Sequence, residues 1–227
     1  MSLSVDHAET QGETARRRKT RDRLIDAAYE VFAETGVHAA SVEMITERAG
    51  FTRGAFYSNF AEKEELFFAL AERENRLRFE RLQEGVDAIL PDVDPGSLTE
   101  SALGDLVTRF LVLQGDDRRW CLVQSEFRLL AMRNTDVAAS YLAYQRGFLQ
   151  QLAERIDAAL ASVGLRFTIE PVVAVRIIVN VYESAMQESI LEGSDAGAFA
   201  PPLARTTLPG LVQAMTEPIA KGPNPAA

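Results

Sequence analysis

A single cysteine, Cys121, rules out an internal disulfide and fits a reducing cytoplasm. With only two histidines, His7 and His38, beside it, the chain has few nitrogen or sulfur donors, and no metal site is expected. No run of about 18 uninterrupted apolar residues exists, which argues against a membrane span. The segment Met1 to Gln11 is polar and acidic, the opposite of a secretory signal. HExxH, GxSxG and glycine-rich phosphate loops are all missing, and the carboxylate pair Asp116-Asp117 falls in a charged turn. These absences disfavour an enzyme and call for no cofactor. What is left is a cytoplasmic binding protein, 47% hydrophobic and 25% charged, able to bury a real core.

The net charge of −9 speaks against a nucleic-acid partner until its distribution is read. Arg16, Arg17, Arg18, Lys19, Arg21 and Arg23 face only Asp22 within their stretch, six positive charges against one negative. Residues 64–227 carry fifteen basic and twenty-three acidic side chains, a net of −8. A basic arm precedes an acidic body, and affinity for phosphate depends on where charge sits.

Periodicity predicts helices throughout. From Thr20, the residues Leu24, Ala27, Ala28, Val31 and Phe32 form one apolar face, closed by Gly36. Ser41 is a ready N-cap for a short helix with Val42, Ile45 and Ala49 on its buried stripe, and Gly50 ends it. Thr52 is the next N-cap, and Phe56 and Phe60 supply anchors one turn apart. A long charged helix follows over about 62–90, with Leu66, Leu70, Leu77, Val86 and Leu90 as its apolar positions. Pro91 and Asp94-Pro95-Gly96 break it. Further helices are expected at about 97–114, 118–132, 134–163, 170–192 and 207–217, separated by Gly115-Asp116-Asp117, by Gly164 and by a Pro-rich loop over 193–202. The β-branched run from Val172 to Val179 reads as helix, because Pro171 suits a first position and Arg176, Asn180, Glu183 and Gln187 recur at helical spacing. The fold class is all-α, with no convincing strand.

The block Ser41–Phe60 is a short helix, a glycine turn and a second short helix, the order of a helix-turn-helix whose second helix enters the major groove. Gly50 tolerates the positive φ of the turn. With Phe56 and Phe60 turned inward, Arg53, Gly54, Tyr57 and Ser58 remain on the outer face and Asn59 on its edge. Arginine bonds guanine in bidentate fashion, as asparagine does adenine. Gly54 lets the backbone approach DNA, Tyr57 offers a hydroxyl to phosphate, and Lys63 adds a cation at the start of the next helix.

The run from Gly50 to Phe67, GFTRGAFYSNFAEKEELF, resembles the signature of the TetR/AcrR family of transcriptional regulators. Ala27, Ala28, Phe32, Gly36, Val42, Ile45 and Ala49 fall at that family's apolar anchors, so the likeness covers about residues 20–67. The resemblance implies a three-helix DNA-binding domain over 16–63, after a disordered leader at 1–15. A helical ligand-binding and dimerisation domain is implied over 64–217, with a disordered tail at 218–227. It puts Ser41, Val42, Arg53, Gly54, Tyr57, Ser58, Asn59 and Lys63 at or near DNA, and the charge distribution adds the arm Arg16, Arg17, Arg18 and Lys19 as further DNA-binding candidates. Val42 departs from the hydroxyl residue often found at its position, and Ser58 and Asn59 sit where the family varies.

The same resemblance implies a homodimer formed through the last two helices, a near-palindromic double-stranded DNA operator and a small-molecule effector that releases it. Leu208, Leu211, Val212 and Met215 supply an amphipathic stripe for such a dimer. Trp120, Phe127, Tyr144, Phe148, Tyr182 and Met186 are large side chains suited to an effector cavity, with Arg128, Asn180 and Glu183 as polar contacts. Against the repressor stands a helical small-molecule-binding or scaffold protein with a vestigial helix-turn-helix; salt-dependent DNA binding separates the two.

Overall fold

A computed structural model of the chain describes residues 4–93, 99–114, 118–193 and 201–219, with side chains from residue 15 onward except at 100 and 114. The expected break at Asp94-Pro95-Gly96, the boundary at Gly115-Asp116-Asp117, nearly all of the loop at 193–202 and nearly all of the tail at 218–227 lie outside the described residues. The elements are α1 (Ser4–Thr35), α2 (Val42–Ala49), α3 (Arg53–Tyr57), α4 (Lys63–Ile89), α5 (Glu100–Gln114), α6 (Arg118–Arg133), α7 (Thr135–Ser162), β1 (Leu165–Phe167), α8 (Pro171–Leu191), α9 (Pro202–Ala214) and β2 (Thr216–Pro218). The fold is all-α in character, as the apolar spacing predicts. None of the described helices is long and apolar enough to cross a membrane.

Several boundaries differ from the sequence expectation. Helix α1 starts at Ser4 rather than Thr20, over residues expected as a flexible leader; Ala, Glu, Gln and Arg there have good helical propensity. Helix α9 begins at Pro202, five residues before the predicted start, since proline suits the first turn. A small antiparallel pair, β1 with β2, joins Leu165 to Pro218 and Phe167 to Thr216. Strands of three residues have too little length to register as alternation. In α4, Leu77 is exposed, while Asn75, Arg78 and Leu82 hold the buried face. The polar pair occupies the positions that the 3.6-residue period selects.

The chain divides into two compact units, Met1–Glu74 with Leu122–Tyr141, and Asn75–Cys121 with Leu142–Ala227. In the first, α1 packs on α2 and α2 on α3. Leu24, Val31, Phe32, Ile45, Phe56, Phe60, Leu66, Phe67, Leu70, Val123 and Phe127 are all buried there. The Phe67 and Phe127 rings stack with centroids 3.4 Å apart. In the second, Leu149, Ala153, Leu160, Phe167, Ala174, Val175 and Met215 make one apolar cluster. Leu111, Ala185, Ala204 and Leu208 make another, where α9 meets α5 and α8.

Candidate nucleic-acid interface

Each short helix of the first unit is fixed at its ends. The Ser41 hydroxyl accepts from the Met44 N–H at 3.1 Å, and the Thr52 hydroxyl from the Ala55 N–H at 3.3 Å. Gly50, at φ 69°, adopts the left-handed conformation that closes α2, its N–H bonding the Glu47 carbonyl while that of Phe51 bonds Thr46. With these caps set, Phe56 turns fully inward. Its ring packs edge-on against Tyr57 and, tilted, against Phe60, at 5.3 and 5.8 Å.

The opposite face of α3 is open. Arg53, Gly54, Tyr57 and Ser58 are all exposed, Tyr57 at 49%. A methyl group on Gly54 would meet nothing nearer than the Thr52 hydroxyl at 3.7 Å, so the protein itself does not demand glycine there. What the missing side chain leaves is an outward backbone that a ligand can approach. Arg53 donates to the Tyr57 oxygen at 3.4 Å, and its Nη1 lies 2.7 Å from the Glu43 carboxylate. The Tyr57 hydrogen bond and the Glu43 charge push the guanidinium above its ordinary pKa, both favouring its charged form.

Other expected residues are placed less openly. Ser41 and Val42 are half-buried. Asn59 donates its amide to the Ala55 carbonyl at 2.8 Å, and its side-chain oxygen is buried with no hydrogen-bond partner. Lys63 turns inward, its ammonium donating to the Ala40 carbonyl at 2.6 Å and to that of Val37 at 3.1 Å. It thereby ties down the turn between α1 and α2, whose Val37 N–H is held in addition by Glu126 at 2.6 Å. Arg16, Arg17, Arg18 and Lys19 are exposed along α1. Arg17 nevertheless reaches the Ser58 carbonyl at 3.1 Å.

The residues expected around an effector divide between the units. Phe127 is buried against Phe67, and Arg128 donates to the Tyr141 hydroxyl at 3.2 Å, both in the first unit. In the second, Trp120 lies beneath the Arg78 guanidinium, 4.7 Å from its ring centroid. Tyr144 accepts from the Asn75 amide at 3.0 Å, and Phe148 stacks on Phe79 at 5.7 Å. Trp120, Tyr144 and Phe148 thus gather along one stretch of α4, whose buried Asn75 and Arg78 the sequence reading passed over. The available signal was polar residues three apart on an otherwise apolar stripe. Tyr182 packs on the Leu111–Leu208 cluster and Met186 is buried, whereas Asn180 faces solvent and Glu183 is half-buried. Among the described residues, no three histidine, cysteine or acidic side chains come together as metal ligands.

Residues 24–70 match the sequence pattern of the bacterial regulatory proteins, tetR family. The chain is 27% identical over 183 residues to the fatty acid metabolism regulator protein of Bacillus subtilis (strain 168), spanning 75% of this chain and 91% of that one. It is 46% identical over 63 residues to the HTH-type transcriptional regulator SrpR of Pseudomonas putida, covering 27% of this chain and 30% of that protein. The fold is shared with the transcriptional regulator FadR from Bacillus subtilis in complex with stearoyl-CoA, with a TM-score of 0.63 at 21% identity over 85% of this chain and 98% of that one.

Proposed function

We propose that the chain is a DNA-binding transcriptional regulator of the tetR family, a dimeric repressor released from its operator by a small-molecule effector; the family's sequence pattern over residues 24–70 and a regulator related over most of the chain support this. The observation that carries this reading is the two-sidedness of α3. Phe56 is buried on one side, and Arg53, Gly54, Tyr57 and Ser58 are exposed on the other. In a two-fold dimer, two such helices about 34–36 Å apart meet successive major grooves of a near-palindromic site. Leu208, Val212 and Met215, expected as the dimer stripe, are buried within the second unit's own core, and it is the exposed apolar side chains on α8 and α9, among them Val173, Ile177, Leu191 and Leu203, that suit a dimer formed through those helices. Such a regulator works in the cytoplasm, where the DNA is.

For the effector, fatty-acyl thioesters are the class to test first. A relative spanning most of the chain is a fatty acid metabolism regulator, and a protein of the same fold holds stearoyl-CoA. Release requires that the ligand bind the DNA-incompetent state more tightly than the competent one.

Duplexes selected by the purified protein from a random-sequence library provide the operator, and fluorescence anisotropy measures binding. We expect Arg53→Ala with Tyr57→Ala to lower operator affinity by roughly a hundredfold. Stearoyl-CoA is expected to release the wild-type complex. Sequence-specific binding undiminished in the double variant would falsify the assignment of α3.

A further inference from the structure

The basic arm divides by what its guanidinium groups touch. Helix α3 has only five residues, too few to sustain itself; the N–H groups of Ser58, Asn59 and Phe60 bond back to the Gly54 and Phe56 carbonyls, and the chain then turns away, so the carbonyls of the C-cap Ser58 and of Asn59 need partners from elsewhere. Arg17 Nη2 donates to the Ser58 carbonyl at 3.1 Å and Arg21 Nη1 to that of Asn59 at 2.8 Å. Arg21 also lies over the Phe60 ring, 4.2 Å from its centroid, and 3.9 Å from a Glu65 oxygen. The second Glu65 oxygen accepts the Ala61 N–H at 2.7 Å. One guanidinium therefore gathers the whole turn that follows α3.

Arg23 repeats the arrangement on α2. It donates to the Ala49 carbonyl at 2.7 Å and lies over the Phe51 ring at 4.6 Å. The planar fork of arginine suits this double duty of bonding a carbonyl edge while stacking on a ring. The register on α1 agrees. Residues 17 and 21 continue, at helical spacing, the stripe that Leu24 and Ala28 form in the core.

We propose that Arg17 and Arg21 are positioning residues, which cap the recognition helix from behind and set the angle at which Arg53 and Tyr57 present themselves. Phosphate attraction is left to Arg16, Arg18 and Lys19. A cation at the C-terminal end of a helix is favoured by the helix dipole, and here it replaces the hydrogen bonds that a longer helix would make for itself. The inference rests on the assignment of α3 as the DNA reader.

The test compares full-length Arg17→Ala, Arg21→Ala and Arg18→Ala with the wild type, against the selected operator and a scrambled duplex, over a series of potassium chloride concentrations. Circular dichroism establishes that each is folded, and Arg17→Ala keeps the test open should Arg21→Ala not fold. For Arg17→Ala and Arg21→Ala, operator affinity is expected to fall about tenfold. Their affinity for the scrambled duplex and their salt slope should remain those of the wild type. Arg18→Ala is expected to weaken both duplexes alike and to lower the slope by about 0.9. A slope lowered to that extent in Arg21→Ala, or operator affinity unchanged in both capping variants, overturns the proposal. Amide exchange of residues 56–59 in the free protein reads the capping without DNA. Faster exchange in the capping variants is expected, and unchanged exchange counts against the caps. A wild type that binds no duplex selectively would instead bring down the regulator reading, leaving the exchange result standing.

Discussion

The two compact units are built from the same element yet carry their chemistry in opposite ways. In the first, α2 and α3 have eight and five residues, and nearly every position is a cap, a turn or an anchor. In the second, α8 runs 21 residues and α7, most of which lies there, runs 28, and the buried polar side chains Asn75, Arg78 and Ser189 are set among apolar ones. Helices that short cannot hold themselves, so the residues around them must. Long helices sustain themselves, which frees most of their surface from constraint. The lesson is that the first unit is over-determined locally, while the second relies on contacts between segments distant in the chain.

The largest expected effect tests the over-determined side. Phe56 is completely buried, and Phe56→Ala should cost about 3–5 kcal/mol of unfolding free energy and remove operator binding with it. Urea unfolding followed by circular dichroism measures the first and anisotropy the second. A loss below about 1 kcal/mol would mean that α3 does not depend on its anchor.

Next comes the other unit. Tyr144→Phe removes the acceptor of the 3.0 Å bond from Asn75 and leaves a buried amide short of a partner. About 1–3 kcal/mol of stability should go, with operator affinity of the folded protein unchanged. Operator affinity falling tenfold in Tyr144→Phe would break the contrast, because a contact of the second unit would then be shaping the first.

The same contrast explains what could be read from the chain alone. Ser41, Gly50, Thr52, Phe56 and Phe60 were legible because each acts within four residues of itself, through a cap, a positive φ or one helical turn. Lys63 was not. It sits at the start of α4 where a phosphate contact is plausible, but its ammonium is directed to carbonyls 23 and 26 residues back in the chain. Arg21 was missed for the same reason, since its carbonyl partner is 38 residues away. Leu77 was misplaced because an apolar residue was favoured over Asn75 and Arg78 for the buried face, and hydrophobicity cannot anticipate polar groups that satisfy one another inside. The β1–β2 pair, three residues against three, joins segments some fifty positions apart and leaves no local trace.

The smallest expected effect concerns the outer face of the reading head. Glu43 lies in the first turn of α2, where its charge suits the helix dipole, and its carboxylate is 2.7 Å from Arg53. Both side chains are more than half exposed, so the pair adds little to stability. Its weight falls on binding. Arg53 must leave Glu43 to reach a base edge, and a carboxylate on that face repels the phosphates of any duplex. Glu43→Gln keeps the side-chain length and removes the charge. Affinity for the scrambled duplex should rise about two- to threefold as the repulsion is lost, operator affinity should rise more because Arg53 no longer breaks an ion pair to reach its base, and the melting temperature should stay where it is. The ratio of the two affinities therefore rises, which makes Glu43 a brake on base contact rather than a source of stability. If operator affinity instead falls while the scrambled duplex binds as before, the carboxylate acts by aiming Arg53, and the first unit is over-determined even on its exposed face.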